Sequence, residues 1–446
     1  MHVVLAALFF FAILTLWVPA YWPVTVFQVG VFALAVSALG VFGIRRMRRA
    51  DLYPIVPLSF AVAWGLLQWG TGHTAYAFDT KTAVVRWATF LAVLLIGMSL
   101  FRETEVRQWF RSAMLWFGFV IAVVATVQTF TSHGKIFWLF PSEYTDYVMG
   151  PILYRNHFAA FIEVVLPIAV YEALRRERDS LLYSGMAAAM FASVIASASR
   201  TGTVLVTAET IVVIALMWAR GRTSARAAGA ALLRMAVLFA VFASVVGWES
   251  VWNRFWQPDP MQMRRELDIS SLHMTAAHPW FGVGLGTWPT VYPRYAIVDI
   301  GVFANQAHSD WLQWIAEGGI PFGIVIATIF LWCLRPAFRS IWGIGVIAVF
   351  LHALVDYPFS RPALGSWPIL IIAMLATWQS SSPARNADTW EKSGSADSPN
   401  RGSRIGRASY SIGSTSRGTR SKQDWSTRPR SILFALRTWQ GKKRRG

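Results

Sequence analysis

The chain has 446 residues, of which 55% are hydrophobic and 14% charged, and its mean hydropathy is +0.44. That balance excludes an ordinary water-soluble enzyme. The 41 Lys and Arg against 23 Asp and Glu give a formal charge of +18, but 15 basic and four acidic residues lie beyond Trp378, so the surplus is mostly a tail and does not argue for a nucleic-acid partner.

A bilayer core of about 30 Å needs roughly 20 apolar helical residues per crossing. Apolar runs bounded by charge occur at 3–20, 24–44, 55–69, 83–101, 113–130, 158–174, 181–198, 203–219, 235–248, 320–334, 341–354 and 367–378. They predict an all-α polytopic membrane protein with about 12 transmembrane helices. No Lys or Arg precedes the first run, so it reads as a retained helix rather than a signal peptide. The lone Cys333 lies in an apolar run, where packing is its expected role. The 23 Trp, 30 Phe and 12 Tyr suit many membrane interfaces.

Arginines cluster after the second, fourth, sixth, eighth and tenth runs, at Arg45 to Arg49, Arg102 to Arg111, Arg175 to Arg178, Arg220 to Arg234 and Arg335 to Arg339. By the positive-inside rule every even run then ends in the cytoplasm. Both termini are expected inside, and five connections outside: 70–81, 131–157, 199–202, 249–319 and 356–365. The tail from residue 379 is rich in Ser, Gly and Arg. It reads as a disordered cytoplasmic segment near anionic lipid.

The outer connections carry polar motifs unusual in so apolar a chain. They are Tyr154-Arg155-Asn156-His157, Ser199-Arg200-Thr201-Gly202, Arg264-Arg265-Glu266, the segment His278 to Trp288, and His308-Ser309-Asp310-Trp311. Arg155, Arg200, Arg264 and Arg265 all lie outside, against the positive-inside trend. Guanidinium groups grip phosphate oxygens in planar, bidentate fashion, so two or three of them converging would clamp a diphosphate; snorkelling to headgroups is the ordinary alternative. Gly282, Gly284 and Gly286 form G-x-G-x-G without a surrounding βαβ unit. A tight turn or close backbone approach to a ligand is expected there, and not a dinucleotide site. His308 is the candidate base, with Asp310 and Glu317 near enough in sequence to orient it. His273, His278 and His308 lack metal-binding spacing. Arg86, Glu163 and Glu209 fall inside apolar runs, where an ionisable group faces a cavity or a partner.

The order of these motifs resembles the O-antigen ligase and polymerase family, polytopic glycosyltransferases of the GT-C-like type. It runs from Arg155-Asn156-His157-Phe158-Ala159 through Ser199-Arg200-Thr201-Gly202 and His278-Pro279 to Gly286, then to His308-Ser309-Asp310-Trp311-Leu312-Gln313 and Glu317-Gly318-Gly319. The likeness is strongest over 154–322, within a transmembrane domain of 1–378 that carries a large periplasmic loop at 249–319; the tail 379–446 is no part of it. The resemblance implies inverting transfer of a glycan from an undecaprenyl-diphosphate carrier to an acceptor hydroxyl of a glycan, lipid A-core or protein. The reaction would lie at the periplasmic face of the bacterial inner membrane, without metal or other cofactor. It implies catalytic roles for His308, Arg200 and either Arg264 or Arg265, and substrate contacts from Arg155, Asn156, His157, Gly284, Gly286, Asp310 and Glu317. Asp268 stands four residues after Arg264, where relatives often have an aromatic residue. A transporter or flippase of lipid-linked glycans is the alternative, motivated by the helix count and the buried charges.

Overall fold

The computed structural model describes residues 1–42, 49–142, 149–176, 178–246, 262–298, 301 and 303–381. In chain order its helices are α1 (His2–Leu14), α2 (Trp22–Phe42), α3 (Arg49–Thr71), α4 (Ala77–Leu100) and α5 (Thr104–Thr131). After a two-stranded hairpin, β1 (Lys135–Ile136) and β2 (Phe140–Pro141), come α6 (Arg155–Arg175), α7 (Ser180–Ala196), α8 (Arg200–Ala219) and α9 (Ala225–Val246). Then follow α10 (Gln262–Ala277), α11 (Trp288–Tyr295), α12 (Asp310–Ser340), α13 (Gly345–His352), a 3-10 turn at Pro358–Ser360 and α14 (Pro362–Ser381). The protein is an all-α polytopic membrane protein.

Among the described residues eight helices are long and apolar enough to cross a bilayer: α2 to α6, α8, α12 and α14. This is fewer than the dozen runs in the sequence. Runs 3–20 and 181–198 form helices of 13 and 17 residues. Run 341–354 is corrected outright. Its helix α13 has eight residues, about 12 Å at 1.5 Å per residue, less than half a bilayer core. The chain leaves α13 at His352 and continues as irregular backbone to the 3-10 turn, with Val355 N–H donating to His352 C=O at 3.0 Å. Such backbone is tolerated at membrane depth only where protein surrounds it, and Asp356, Tyr357, Pro358 and Phe359 are all buried.

α6 and α14 are buried along nearly their whole lengths and form the centre of the bundle. Outer helices such as α2 and α8 instead show Val29, Val36, Val41, Val204 and Ile211 on their exposed faces, as a lipid-facing helix must. At the end away from the outer connections, Glu172 of α6 gathers Arg111, Arg175 and Arg176 at 2.7, 3.0 and 2.8 Å.

The described part of the 249–319 connection is folded. Leu267 and Met274 lie two turns apart on one face of α10 and pack with Val283, Trp288, Tyr292, Ala307 and Ala316 in a small separate core. α12 breaks at Gly319, whose φ of 79° and ψ of 171° are not helical. Ala316, within its first nine residues, packs in this small core, and an apolar stretch starts at Ile320. The tail beyond 381 and the segment 247–261 lie outside the described residues, and with them the expectation about the tail.

Candidate functional site

Three helix N-termini meet at one end of the bundle. α6 begins at Arg155, α8 at Arg200 and α12 at Asp310. Ser199 and Ser309 cap the latter two, accepting from the backbone N–H of Gly202 and Leu312; each cap is worth about 1 kcal/mol. The N-termini present partial positive charge to whatever occupies the space before them.

Asp356, on the segment after α13, ties the three together. It is 1% exposed. Its carboxylate accepts a short hydrogen bond from Asn156 Nδ2 and the Tyr357 N–H at 2.8 Å. It lies 3.7 Å from Arg264 Nη2 and 3.9 Å from His157 Nε2. Asn156 Nδ2 also donates to Tyr154 Oη at 3.1 Å, while Asn156 Oδ1 accepts from Ser199 Oγ at 2.9 Å. The α6 and α8 N-termini are thus joined through one amide. The Asp310 N–H donates to the Asp356 carbonyl at 2.9 Å, and the Phe359 N–H returns to Asp310 Oδ2 at 2.9 Å, so two backbone segments are fastened reciprocally.

His308 sits over this network in a left-handed conformation, φ 55°. Its ring meets Tyr357 edge-on at 4.9 Å and Tyr154 at 6.4 Å. Burial pushes its pKa below the ordinary imidazole value; Asp356 acts against the shift and Arg264 reinforces it. A neutral imidazole results, as a general base requires. Burial, with the Asp356 charge, raises Tyr154 to about 12, so its hydroxyl stays a donor at neutral pH.

Of the residues singled out from the sequence, the structure brings His308, Arg264, Arg155, Arg200, Asn156, His157 and Asp310 to this end of the bundle. It separates the two candidate arginines on α10. Arg264 is half-buried against Asp356 and interacts with Tyr154, whereas Arg265 is exposed. Three of the residues expected at the substrate are engaged within the protein. The Asn156 amide is committed to Tyr154, Asp356 and Ser199. His157 is 4% exposed and lies beneath the cluster, edge-on to Tyr154 and Tyr357 at 4.8 and 4.7 Å. Asp310 accepts the Phe359 N–H.

Glu317 belongs to a second fastening. Its Oε2 accepts the Gly286 N–H at 2.7 Å, and its Oε1 accepts the Trp288 N–H at 3.2 Å and Gln313 Nε2 at 2.9 Å. The glycine segment does approach another backbone closely, but that backbone is the protein's own. A Cβ on Gly284 would stand 2.4 Å from Thr74 Oγ1, and one on Gly286 2.7 Å from the Asp79 carbonyl oxygen. Both glycines have positive φ. Gln68 of α3 completes the seat, donating to the Phe281 and Glu317 carbonyls and accepting the Leu285 N–H. Arg86 donates to the Ser360 carbonyl at 3.3 Å and is the cation within reach of both Asp310 and Glu317.

Sequence reasoning passed over Asp356, which it used only to mark the start of the 356–365 connection. The available signal was an Asp at the end of an apolar run, in the dipeptide Asp356-Tyr357 before Pro358. Among the described residues no group of three or more His, Cys, Asp or Glu is placed to hold a metal ion.

A helical membrane bundle with basic helix N-termini around a buried carboxylate and a neutral imidazole offers positive potential to an anion and an acceptor for a proton. Residues 185–327, about a third of the chain, match the family model described as O-antigen ligase. That match holds Arg200, Arg264, the glycine segment and His308, while Asn156 and Asp356 lie on either side of it. No curated protein matches the chain.

Proposed function

We propose that the protein transfers a glycan from an undecaprenyl-diphosphate carrier to an acceptor hydroxyl, inverting the anomeric centre and using no metal. The observation that carries this reading is the meeting of His308 and Arg264 across Asp356, at the end of the bundle where α6, α8 and α12 begin.

The chemistry follows from charge. Departure of the carrier places negative charge on the diphosphate oxygens, and groups fixed before the reaction stabilise that charge more than they stabilise the substrate. Arg264 and Arg200, with the N–H groups of the α6 and α8 first turns, supply such groups. His308 accepts the acceptor proton as the oxygen attacks the anomeric carbon from the face opposite the diphosphate. One carbon–oxygen bond forms, the bond to the carrier breaks, and the electron pair leaves with the diphosphate. The polyprenyl chain remains among the lipids beside the bundle. Asn156, Asp310, Glu317, Gly284 and Gly286 support this site by holding its loops, and Arg155 contributes charge at the α6 N-terminus. The acceptor belongs to a glycan, a lipid A-core or a protein. The site faces the periplasm, and both termini the cytoplasm of a bacterial inner membrane.

The test is transfer from purified lipid-linked donor by the full-length chain. His308→Ala and Arg200→Ala are each expected to lower the rate by about 10²-fold or more while folded protein persists in the membrane, and chelators should leave the wild-type rate unchanged. Wild-type transfer by either variant would overturn the assignment. Inhibition by chelator that a divalent ion reverses would overturn the metal-independent part.

A further inference from the structure

Below the site the bundle holds ionisable groups that the transfer mechanism does not use. Glu163 is eight residues into α6 and Glu209 nine residues into α8, so both lie roughly 12 to 14 Å beneath the helix N-termini. They interact with each other electrostatically. His352, the last residue of the half-length helix α13, bonds Glu163 Oε1 through Nδ1 at 2.7 Å. All three side chains are buried, at 0%, 3% and 0% exposure for Glu163, Glu209 and His352. Glu163 Oε2, both Glu209 oxygens and His352 Nε2 have no hydrogen-bond partner among the described residues.

Two carboxylates facing each other in hydrocarbon cannot both carry an uncompensated charge, so the cluster holds protons among its members. It is connected upward. His352 lies within electrostatic range of Asp356 and of His157. His157 Nε2, also buried without a hydrogen bond, is 3.9 Å from Asp356 Oδ1, and Asp356 interacts with His308.

We propose that Glu163, Glu209 and His352 form a proton-binding site inside the membrane, and that it receives, through Asp356 and His157, the proton His308 removes from the acceptor hydroxyl. The proposal rests on His308 acting as the base. The balance is simple. The acceptor oxygen loses H⁺ to the imidazole, the imidazolium passes it to the Asp356 carboxylate, and the proton moves inward while the carrier diphosphate leaves with the electron pair. His308 is thereby neutral again for the next acceptor, and the stored proton returns to the aqueous side after product leaves.

The facing charges are few. Glu163 interacts electrostatically with His352 and Asp356, His352 also with Arg264, and Glu209 with Glu163. α7, whose one titratable side chain is Tyr183, and α14, which has none, bring no other group to this depth. Glu105, Arg107 and Arg111 of α5 and Arg226 and Arg234 of α9 lie toward the opposite end.

The experiment uses the full-length chain in lipid nanodiscs. Infrared difference spectra between acid and alkaline pH should contain a buried protonated-carboxyl band that Glu209→Gln removes. Glu163→Gln and Glu209→Gln should each lower kcat about tenfold at unchanged donor KM and displace the pH profile, with partial recovery in Glu163→Asp. Should Glu163→Gln fail to fold through loss of the His352 bond, Glu209→Gln has no such bond to lose and decides alone. A missing band, or wild-type pH profiles in the Gln variants, overturns the proton site. If His308→Ala is inactive while the Gln variants behave as wild type, only the proton site fails. Wild-type activity in His308→Ala removes the proton's source and overturns both.

Discussion

At Asp356 one buried carboxylate faces a guanidinium at 3.7 Å, an imidazole at 3.9 Å and a side-chain amide, and its charge also reaches His308. Two effects of that charge oppose each other. It holds Arg264 and the α6 and α8 N-termini in place, which favours transfer, and it raises the affinity of His308 for a proton, against the burial that lowers it. Asp356→Asn keeps the shape and removes the charge. The acid limb of the transfer profile, already below the ordinary imidazole value of about 6.5, is therefore expected to move to still lower pH, while the plateau rate falls because Arg264 loses its anchor. A profile measured from pH 4.5 to 8.5 checks both, and an acid limb that rises in Asp356→Asn would remove Asp356 from the surroundings of His308. Arg264 or Arg265 could not be chosen from sequence, because adjacent positions on a helix are equally basic until a partner points at one of them. Asp356 is that partner, and it lies 92 residues further along the chain.

Among the elements, the break in α12 shows how a glycine divides a polar helical turn from the apolar run that follows it. Ile320 N–H donates to the Pro279 carbonyl at 2.8 Å, and a Cβ on Gly319 would stand 2.4 Å from the Trp280 carbonyl oxygen. Gly319→Ala combines left-handed strain with a backbone clash. Gly72 offers the comparison, since its φ is 75° but nothing lies within 4 Å of its Cβ position. Gly72→Ala is expected to cost about 1 kcal/mol and Gly319→Ala about 2 kcal/mol or more, read as thermal unfolding in detergent by tryptophan fluorescence. Equal losses would mean that the His278 to Gly282 segment is not pinned against α12. This boundary was legible, because the apolar run begins at Ile320 directly after Glu317-Gly318-Gly319. α13 was not. Hydropathy marks 341–354 as apolar but does not record that its helix stops at His352, so the turn back toward the site, and with it Asp356, escaped a reading based on run length. The glycine segment was legible as a tight turn, and its true neighbours, Thr74 and Asp79, belong to a distant part of the chain that spacing cannot reach.

For the whole molecule, the two ends of the bundle differ in chemistry. Glu172 with its three arginines, and Arg220 donating to the Arg339 carbonyl, gather at one end. Asn156, Asp356, Arg264 and His308 gather at the other. The positive-inside rule predicts that the arginine-rich end faces the cytoplasm, and on that basis we propose that the candidate site lies on the periplasmic side. Cys333 is the chain's only cysteine and is fully buried, so a thiol placed on either end reports alone. Leu139, in the connection leading to α6, is 74% exposed, and Arg222, between α8 and α9, is exposed at the other end. In cells with a permeabilised outer membrane, a membrane-impermeant maleimide should label Leu139→Cys at once and Arg222→Cys only after the inner membrane is opened. The reverse order would turn the bundle over and place His308 in the cytoplasm. Glycan transfer from the periplasmic leaflet would then be impossible, although every distance within the site stayed the same.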